Sequence, residues 1–179
     1  MNTAPTIQGE NVLLRQPIER DLRDYMNVDE DTELNKMYGI EAADITPKTF
    51  EKAKRFIEAI ANNQWEWCVV YQNRFVGQAR LTVNQTDNRA RYAVGLFDPS
   101  VWNKGLGTEV TNLVLEFAFK TLNLHRVDLR VLEYNVRAIR CYEKCGFIKE
   151  GIEREGALIN RTYETDVFMS ILDREYEEK

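Results

Sequence analysis

The sequence predicts a single α/β domain, of the α+β kind, in which a mixed and mostly antiparallel sheet carries helices. Three successive segments are rich in β-branched and aromatic residues and are joined by short polar turns, as in an antiparallel meander. After them, amphipathic helical stretches alternate with strand-like ones, as in strands connected through helices. The chain has 179 residues, of which 44% are hydrophobic, enough for the continuous core of one domain over 1–179.

Composition excludes several classes of protein. A net charge of -5 argues against a nucleic-acid binder with a basic face and agrees weakly with a cationic substrate. Three cysteines without framework spacing indicate free thiols in a reducing compartment. Residues 1–9 lack the basic and apolar parts of a leader, and nowhere do eighteen apolar residues follow one another. We therefore expect a cytoplasmic protein without a membrane or nucleic-acid partner.

The first third of the chain predicts one strand and two helices. Residues 12–15 form a short strand, and residues 29–45 are polar and predict no element. The first helix has an apolar face at helical spacing, made by Ile18, Leu22 and Tyr25 or Met26. The second helix begins with Thr46 as its cap and Pro47 in its first position. Its apolar stripe consists of Phe50, Ala53, Ile57 and Ile60.

The meander consists of residues 67–71, 75–83 and 89–97. Polar turns at 72–74 and 85–88 separate these strands. Because both connections are short, each strand is expected to run antiparallel to the one before it.

After the meander the chain predicts two helices and three strands. The first helix follows a pair of glycines and has apolar residues at intervals of three and four, namely Leu106, Val110, Leu113, Val114, Phe117 and Ala118. Residues 125–131 form the next strand, which is expected to be the parallel neighbour of the last meander strand because a full helix connects them. A second helix over 135–145 ends at Gly146, and strands 147–153 and 161–172 complete the sheet.

Residues 103–109 contain two glycines one residue apart, Gly105 and Gly107, between a strand and a helix. Glycine takes positive φ and has no Cβ, so backbone N–H groups can converge on a phosphate at the positive end of the helix. A P-loop is excluded because its lysine follows the second glycine, whereas Lys104 precedes both. A dinucleotide fingerprint is excluded because its third glycine is Val110 here. Taken alone, the pair is equally compatible with a tight turn.

A second polar pattern follows about thirty residues later, over 135–147. Asn135 ends a strand and can offer its amide to a ligand, and Tyr142, two turns along the helix, can present its phenol to the same cleft. Singly, a helix cap for Asn135 and a core aromatic for Tyr142 are the better interpretations. Together with the glycine loop they favour a ligand site.

With these two motifs the chain resembles the GCN5-related N-acetyltransferase family. The acetyl-CoA motif of that family is a strand, a basic or aromatic residue, G-x-G/A and a helix, and its second motif is N-x-x-A-x-x-x-Y-x-K-x-G-F. The chain matches the second motif at Asn135, Ala138, Tyr142, Lys144, Gly146 and Phe147. The resemblance covers essentially the whole chain and is greatest for the subgroup of spermidine and ribosomal-protein N-terminal acetyltransferases. It implies a seven-stranded sheet with a splayed parallel central pair and helices on both faces.

The resemblance implies an acyltransferase that moves the acetyl group of acetyl-CoA to a primary amine by direct attack on the thioester, without a metal. Tyr142 is the implied acid that protonates the departing thiolate. The other implied residues contact the cofactor: Leu96 and Phe97 along the pantetheine, Asn103, Lys104, Gly105, Leu106, Gly107 and Thr108 at the pyrophosphate, and Asn135, Ala138 and Lys144 from the second motif. For Lys104, a solvated loop lysine is an equal alternative.

The general base and the acceptor stay open. Many family members have a carboxylate on the strand that corresponds to 89–97, but this chain has none there. Glu33, Glu66, Asp98 and a water molecule are the alternatives, and the missing strand carboxylate also weakens a polyamine acceptor. The acceptor is a small amine, such as a polyamine, an aminoglycoside or an amino acid, or a protein N-terminus. The acidic run 29–31 would suit a small cation.

Other patterns are weaker. Cys141 and Cys145 share a helix face, but with His125 as the single histidine the chain lacks the four ligands of structural zinc, and nothing local activates a thiol. Trp65 and Trp67 are core residues or part of an acceptor pocket, with the core favoured. A non-catalytic acyl-CoA-binding module that regulates or scaffolds a partner is the alternative function. The resemblance also allows a homodimer.

Overall fold

The structure is a computed structural model that describes residues 3–40 and 47–177. Within these residues the strands are β1 Ile7–Gln8, β2 Val12–Arg15, β3 Glu66–Tyr71, β4 Arg74–Asn84, β5 Arg89–Leu96, β6 Arg126–Leu132, β7 Ile148–Ile159 and β8 Thr162–Leu172. The helices are α1 Glu19–Met26, α2 Thr32–Met37, α3 Phe50–Asn62, α4 Leu106–Glu116, α5 Val136–Lys144 and α6 Asp173–Glu177. A 3₁₀ turn at Pro99–Val101 precedes α4, and a π turn at Phe117–Thr121 follows it. No helix in these two ranges is both long and apolar enough to cross a bilayer.

The strands form one mixed sheet in the order β1-β2-β3-β4-β5-β6-β8-β7. The predicted parallel pair, β5 with β6, is confirmed, and its register joins Arg89 to Arg126 and Arg91 to Asp128. The parallel ladder covers three residue pairs, although the strands have eight and seven residues. Among the described residues the sheet has eight strands rather than the predicted seven. The additional strand, β1, has only two residues and is too short to produce a periodic pattern.

The described chain forms two compact units. The first unit comprises residues 3–30, 47–82 and 93–114, and the second comprises residues 31–40, 83–92 and 115–177. Strands β4 and β5 and helix α4 contribute residues to both units. The prediction of a single domain over the whole chain stays a prediction.

The first unit has an aromatic cluster in its core. The rings of Phe75 and Phe97 meet edge to face with centroids 4.9 Å apart, and Tyr25 of α1 meets Phe97 in the same way at 5.1 Å. Phe56 of α3 stacks on Tyr25 at 4.6 Å. Because such pairs add to the stabilisation from burial, this cluster holds α1 and α3 against β4 and the end of β5.

Two details of the helices in the first unit differ from the sequence prediction. Ile18, expected on the buried face of α1, is 50% exposed. The fully buried residue of α1 is instead Asp21. Its carboxylate accepts two hydrogen bonds from Arg15, at 2.6 and 2.8 Å. Helix α3 begins at Phe50, and Thr49 is its cap, accepting from the N–H of Lys52. The predicted cap, Thr46, lies outside the described residues.

The second unit has a core of alternating apolar residues from β6 and β8, in which Val127, Leu129 and Val131 are paired in register with Ile171, Met169 and Val167. Strand β7 continues to Ile159, well beyond the predicted end at 153, because a bulge between Glu153 and Ala157 interrupts the pattern without ending the pairing. Helix α2 was not predicted, and Asp31 caps it by accepting from the N–H of Leu34 at 2.8 Å.

Candidate active site

The predicted site residues lie in two groups, one in each compact unit. The first-unit group consists of Leu96, Phe97, Asn103, Lys104, Gly105, Leu106, Gly107 and Thr108. The second-unit group consists of Asn135, Ala138, Tyr142 and Lys144. The first group comes from one continuous segment, and the second from α5 and the residue before it.

The loop between β5 and α4 has the left-handed conformation expected of glycine at Gly105 but not at Gly107, which lies in the first turn of α4. Asn103 has φ of +58° and Gly105 has φ of +79°, both in the left-handed region. A Cβ at Gly105 would meet no protein atom within 4 Å, so the chain itself requires glycine there for its φ and not for space. The two left-handed residues turn the chain directly into α4, whose first residue is Leu106.

The first turn of α4 has the properties of an anion site. The first N–H groups of an α-helix point out of its N-terminus, and the helix dipole places partial positive charge on them. Asn103, Lys104 and Gly105 are exposed, whereas Leu106 is buried and anchors the turn. The Thr111 hydroxyl donates to the carbonyl of Gly107 at 2.7 Å, which leaves the N–H groups of the first turn unaffected. The turn can therefore bind a phosphate through backbone N–H groups.

Glu109 also lies in the first turn, and its carboxylate is held by the beginning of β2. It accepts from the N–H of Asn11 at 2.8 Å, from the Asn11 amide at 3.0 Å and from the N–H of Val12 at 3.1 Å. Partial burial acts to raise the pKa of the Glu109 carboxyl, but these donors outweigh it, so the pKa lies below its ordinary value. The negative charge of Glu109 is thus compensated by donors from β2.

The residues at the end of β5 use part of their hydrogen-bonding capacity within the first unit. The N–H of Phe97 donates to the carbonyl of Val76 at 3.0 Å, and the Phe97 ring lies in the aromatic cluster. The carbonyl of Leu96 accepts from the indole N–H of Trp102 at 2.9 Å. Trp102 was not among the predicted site residues, because the pattern of the glycine loop does not show which carbonyl its indole N–H contacts.

Lys104 lies with its ammonium 5.9 Å from the centroid of the Tyr71 ring. This distance is within the range of a cation–π contact at an exposed site. Both alternatives for Lys104, a phosphate contact and a solvated loop residue, are compatible with this position.

Asn135 is the cap of α5. Its side-chain oxygen accepts from the N–H of Ala138 at 3.2 Å, and its amide donates to the carbonyl of Met37 at 3.4 Å. Beside it, the Tyr134 hydroxyl donates to the carbonyl of Lys36 at 2.6 Å. The residues before α5 therefore bind the C-terminal carbonyls of α2, and the capping interpretation of Asn135 is confirmed.

Tyr142 lies on the buried side of α5 and is 9% exposed. Its ring meets Phe147 at 5.8 Å and Tyr92 at 6.3 Å, both edge to face. Burial raises the pKa of the Tyr142 phenol above its ordinary value. Because of this raised pKa, the phenol is protonated throughout the neutral pH range. On the same helix Ala138 is half-buried and Lys144 is exposed.

The three carboxylates considered as bases lie in different surroundings. Glu66 is 3% exposed and accepts from the side chain of Asn63, so it is a structural residue. Asp98 accepts from the N–H of Ser100 at 2.9 Å and pairs with Arg74 at 2.6 Å. Burial acts to raise the pKa of Asp98, but these partners outweigh it and lower the pKa, which makes Asp98 a weaker base. Glu33 is exposed in the first turn of α2.

The side chains considered for a metal site or an acceptor pocket include Cys141, Cys145, His125 and Trp67. Among the described residues no group of three or more His, Cys, Asp and Glu side chains could hold a metal ion. Cys145 is buried, Cys141 is half-buried and His125 pairs with Asp173 at 3.2 Å. Trp67 is a core residue, as favoured by the sequence, and its indole donates to the carbonyl of Pro5 at 2.7 Å.

Comparison with known proteins identifies the family. The model of the acetyltransferase (GNAT) domain matches residues 11–148. The chain belongs to the GNAT acetyltransferase family. It is 38% identical over 86 residues to the protein named Probable N-acetyltransferase YjcK of Bacillus subtilis, a match that covers 48% of each chain. It is 32% identical over 106 residues to spermidine N(1)-acetyltransferase of Vibrio cholerae, covering 59% of this chain and 61% of that one. The chain thus spans about half to three fifths of the length of these relatives.

Solved structures agree with the fold. The crystal structure of spermidine N-acetyltransferase from Vibrio cholerae in complex with CoA and spermine superposes with a TM-score of 0.77 at 26% identity, covering 93% of this chain and 98% of that one. A GNAT acetyltransferase from Bacillus anthracis, 20% identical, superposes with a TM-score of 0.79, covering 95% of this chain and 99% of that one. The predicted GNAT fold, with its mostly antiparallel sheet and one parallel pair, is confirmed.

We predict that Gly105→Ala destabilises the protein by about 1–2 kcal/mol, because alanine is strained at positive φ. Gly151→Ala is the matched control, since a Cβ there also meets no atom within 4 Å but φ lies outside the left-handed region. Urea unfolding of both variants measures the difference. Equal stability of the two variants would show that the left-handed turn does not form.

Proposed function

We propose that the protein transfers an acetyl group from acetyl-CoA to a primary amine, by direct attack of the neutral amine on the thioester and without a metal. One observation carries the proposal: the left-handed residues Asn103 and Gly105 lead directly into the N-terminus of α4 in a chain of the GNAT family. A strand, a left-handed turn and a helix N-terminus form an anion site, which suits the pyrophosphate of coenzyme A.

Residues 103–108 are proposed to bind the pyrophosphate through their N–H groups. Two acids near this segment, Asp98 and Glu109, are each held by donors within the first unit, which fixes the positions of their carboxylates. Lys104 is exposed and adds a positive charge to the same loop. The backbone at Leu96 and Phe97 is proposed to line the pantetheine. The backbone groups proposed for this contact are those that do not already bond to β4 or to the Trp102 indole.

In the second unit, Asn135, Ala138 and Lys144 are proposed as cofactor contacts and Tyr142 as the acid. The amide of Asn135 donates over 3.4 Å to Met37, a long bond that a pantetheine carbonyl can replace. Ala138 is small and half-buried, so no long side chain projects from α5 at the position where the cofactor is proposed to lie.

Tyr142 is proposed to give its proton to the sulfur as the C–S bond breaks. The raised pKa keeps the phenol protonated before reaction, so a donor is always present. The same burial makes a lasting phenolate costly. The proton released by the attacking nitrogen must therefore restore the phenol, which balances the reaction at one proton gained and one lost.

A small cationic amine is the proposed acceptor. Relatives named spermidine N(1)-acetyltransferase support it, as does the net charge of -5. The acidic run 29–31 gives a cationic acceptor less support than the sequence indicated, because two of its carboxylates already have partners. Asp31 caps α2, and Glu30 accepts from the N–H of Lys48 at 3.0 Å. A protein N-terminus is the second acceptor to be tested, and a homodimer and a cytoplasmic location stay proposals.

We predict that the protein releases free CoA from acetyl-CoA only when an acceptor amine is present, with spermidine and related polyamines faster than an amino acid, an aminoglycoside or a peptide N-terminus. A thiol reagent follows the release, and mass spectrometry identifies the acetylated product. Saturable acetyl-CoA binding without release for any acceptor would instead support the non-catalytic module.

We predict that Tyr142→Phe lowers kcat by about 10²-fold or more, because a general acid contributes about 10²–10⁴-fold. Phenylalanine keeps the edge-to-face packing with Tyr92 and Phe147, so KM for acetyl-CoA should change less than twofold. In the wild-type protein the phenol should cause no loss of kcat below about pH 10, since its pKa lies above the ordinary value near 10. Wild-type turnover by the variant would exclude Tyr142 as the acid.

A further inference from the structure

The loop between β5 and α4 is closed by the side chain of Trp102. The indole N–H donates to the carbonyl of Leu96 at 2.9 Å. Leu96 is the last residue of β5, and Trp102 directly precedes Asn103, the first left-handed residue of the loop. This side-chain hydrogen bond thus joins the end of the strand to the beginning of the proposed anion site.

The other bonds of this segment hold its parts separately. The N–H of Phe97 donates to β4 at Val76, which places the strand end. The carboxylate of Asp98 accepts from the N–H of Ser100, and the N–H of Trp102 donates to the carbonyl of Pro99, which together form the 3₁₀ turn. The indole bond spans the whole turn, since it connects positions six residues apart.

Under the proposed function, these two points hold two different parts of one ligand. The loop binds the pyrophosphate of coenzyme A, and the end of β5 lines its pantetheine. The covalent length of coenzyme A fixes the separation of those parts, so the protein must hold both anchors at a matching separation. An error of about 1 Å in such an arrangement can cost about 10²-fold in rate.

We propose that Trp102 is a positioning residue that sets the separation between the pyrophosphate loop and the pantetheine end of β5. It acts through the Leu96 carbonyl and the backbone of Asn103, and it is not assigned a contact with the reacting atoms. The inference rests on the proposed function. It assigns the separation of the two cofactor anchors in that site to the hydrogen bond between Trp102 and Leu96.

Trp67 provides a matched control within the same unit. Its indole also donates to a backbone carbonyl, that of Pro5, at 2.7 Å. Its ring is fully buried, so its removal costs at least as much packing as removal of the half-buried Trp102 ring. Neither Trp67 nor Pro5 belongs to the proposed cofactor residues.

The test compares Trp102→Phe and Trp67→Phe by calorimetric titration with three ligands: coenzyme A, its nucleotide half (ADP with a 3′-phosphate) and pantetheine. For Trp102→Phe we expect about fivefold or greater loss of affinity for coenzyme A, the effect of one hydrogen bond, with unchanged affinity for the nucleotide half. Trp67→Phe should bind all three ligands as the wild type does.

Three results would overturn the inference. The first is wild-type affinity of Trp102→Phe for coenzyme A, and the second is an equal loss for the nucleotide half, which would restrict Trp102 to shaping the loop. The third is an equal loss of coenzyme A affinity in Trp67→Phe, which would make the effect one of general stability. If wild-type protein binds no coenzyme A, the proposed function itself fails, and the inference fails with it.

A second variant removes the donor without changing the shape of the ring. Benzothienylalanine at position 102 replaces the indole N–H by sulfur, so it keeps the packing if Trp102→Phe does not fold. The inference expects the same loss of coenzyme A affinity from this variant, and wild-type affinity would overturn it.

Discussion

The left-handed turn between β5 and α4 is the constraint on which the first unit depends. The chain leaves β5 at Leu96 and enters α4 at Leu106, and it changes direction through positive φ at Asn103 and Gly105. Such a conformation is unfavourable for most residues, so it persists only where neighbouring contacts hold it. Trp102 holds it from the strand side, and Glu109 holds it from the helix side by accepting from the N–H groups at the beginning of β2. These hydrogen bonds therefore tie both ends of the loop to strands of the first unit.

Charge in this region follows the same arrangement. Two carboxylates, Asp98 and Glu109, lie within a few residues of the helix end, where free negative charge would compete with a phosphate. Each is held by backbone N–H groups, and Asp98 also by Arg74, and both have pKa values below the ordinary range. They stay ionised, but their charge is compensated locally. The helix dipole and the exposed Lys104 both favour an anion at this end of α4.

Local sequence signals predicted most of the fold and the turn that leads into α4. The glycine pair, the polar turns of the meander and the apolar stripe of α4 are short-range patterns, and a full helix between β5 and β6 predicted their parallel pairing. Predictions failed where a particular side-chain hydrogen bond decides the outcome. Asp21 is buried with its charge paired to Arg15, and Ile18 lies at the N-cap position of α1 and is exposed. A hydrogen bond to Leu96 likewise gives Trp102 a role that no spacing in the sequence reveals.

In the second unit, the cap of α5 and the proposed acid lie in the same short segment. Asn135 caps α5 and its neighbour Tyr134 binds α2, while Tyr142 is buried among aromatic rings that keep its phenol protonated. This group alone does not identify a cofactor. The backbone N–H groups before and within the first turn of α4 are the ones proposed to bind the cofactor.

A two-dimensional ¹H–¹⁵N NMR titration of the protein with coenzyme A tests that claim most directly. The account predicts that the amide signals of residues 103–108 shift the most, and that pantetheine alone leaves them in place. Saturable binding of coenzyme A with unshifted amides at 103–108 would contradict it.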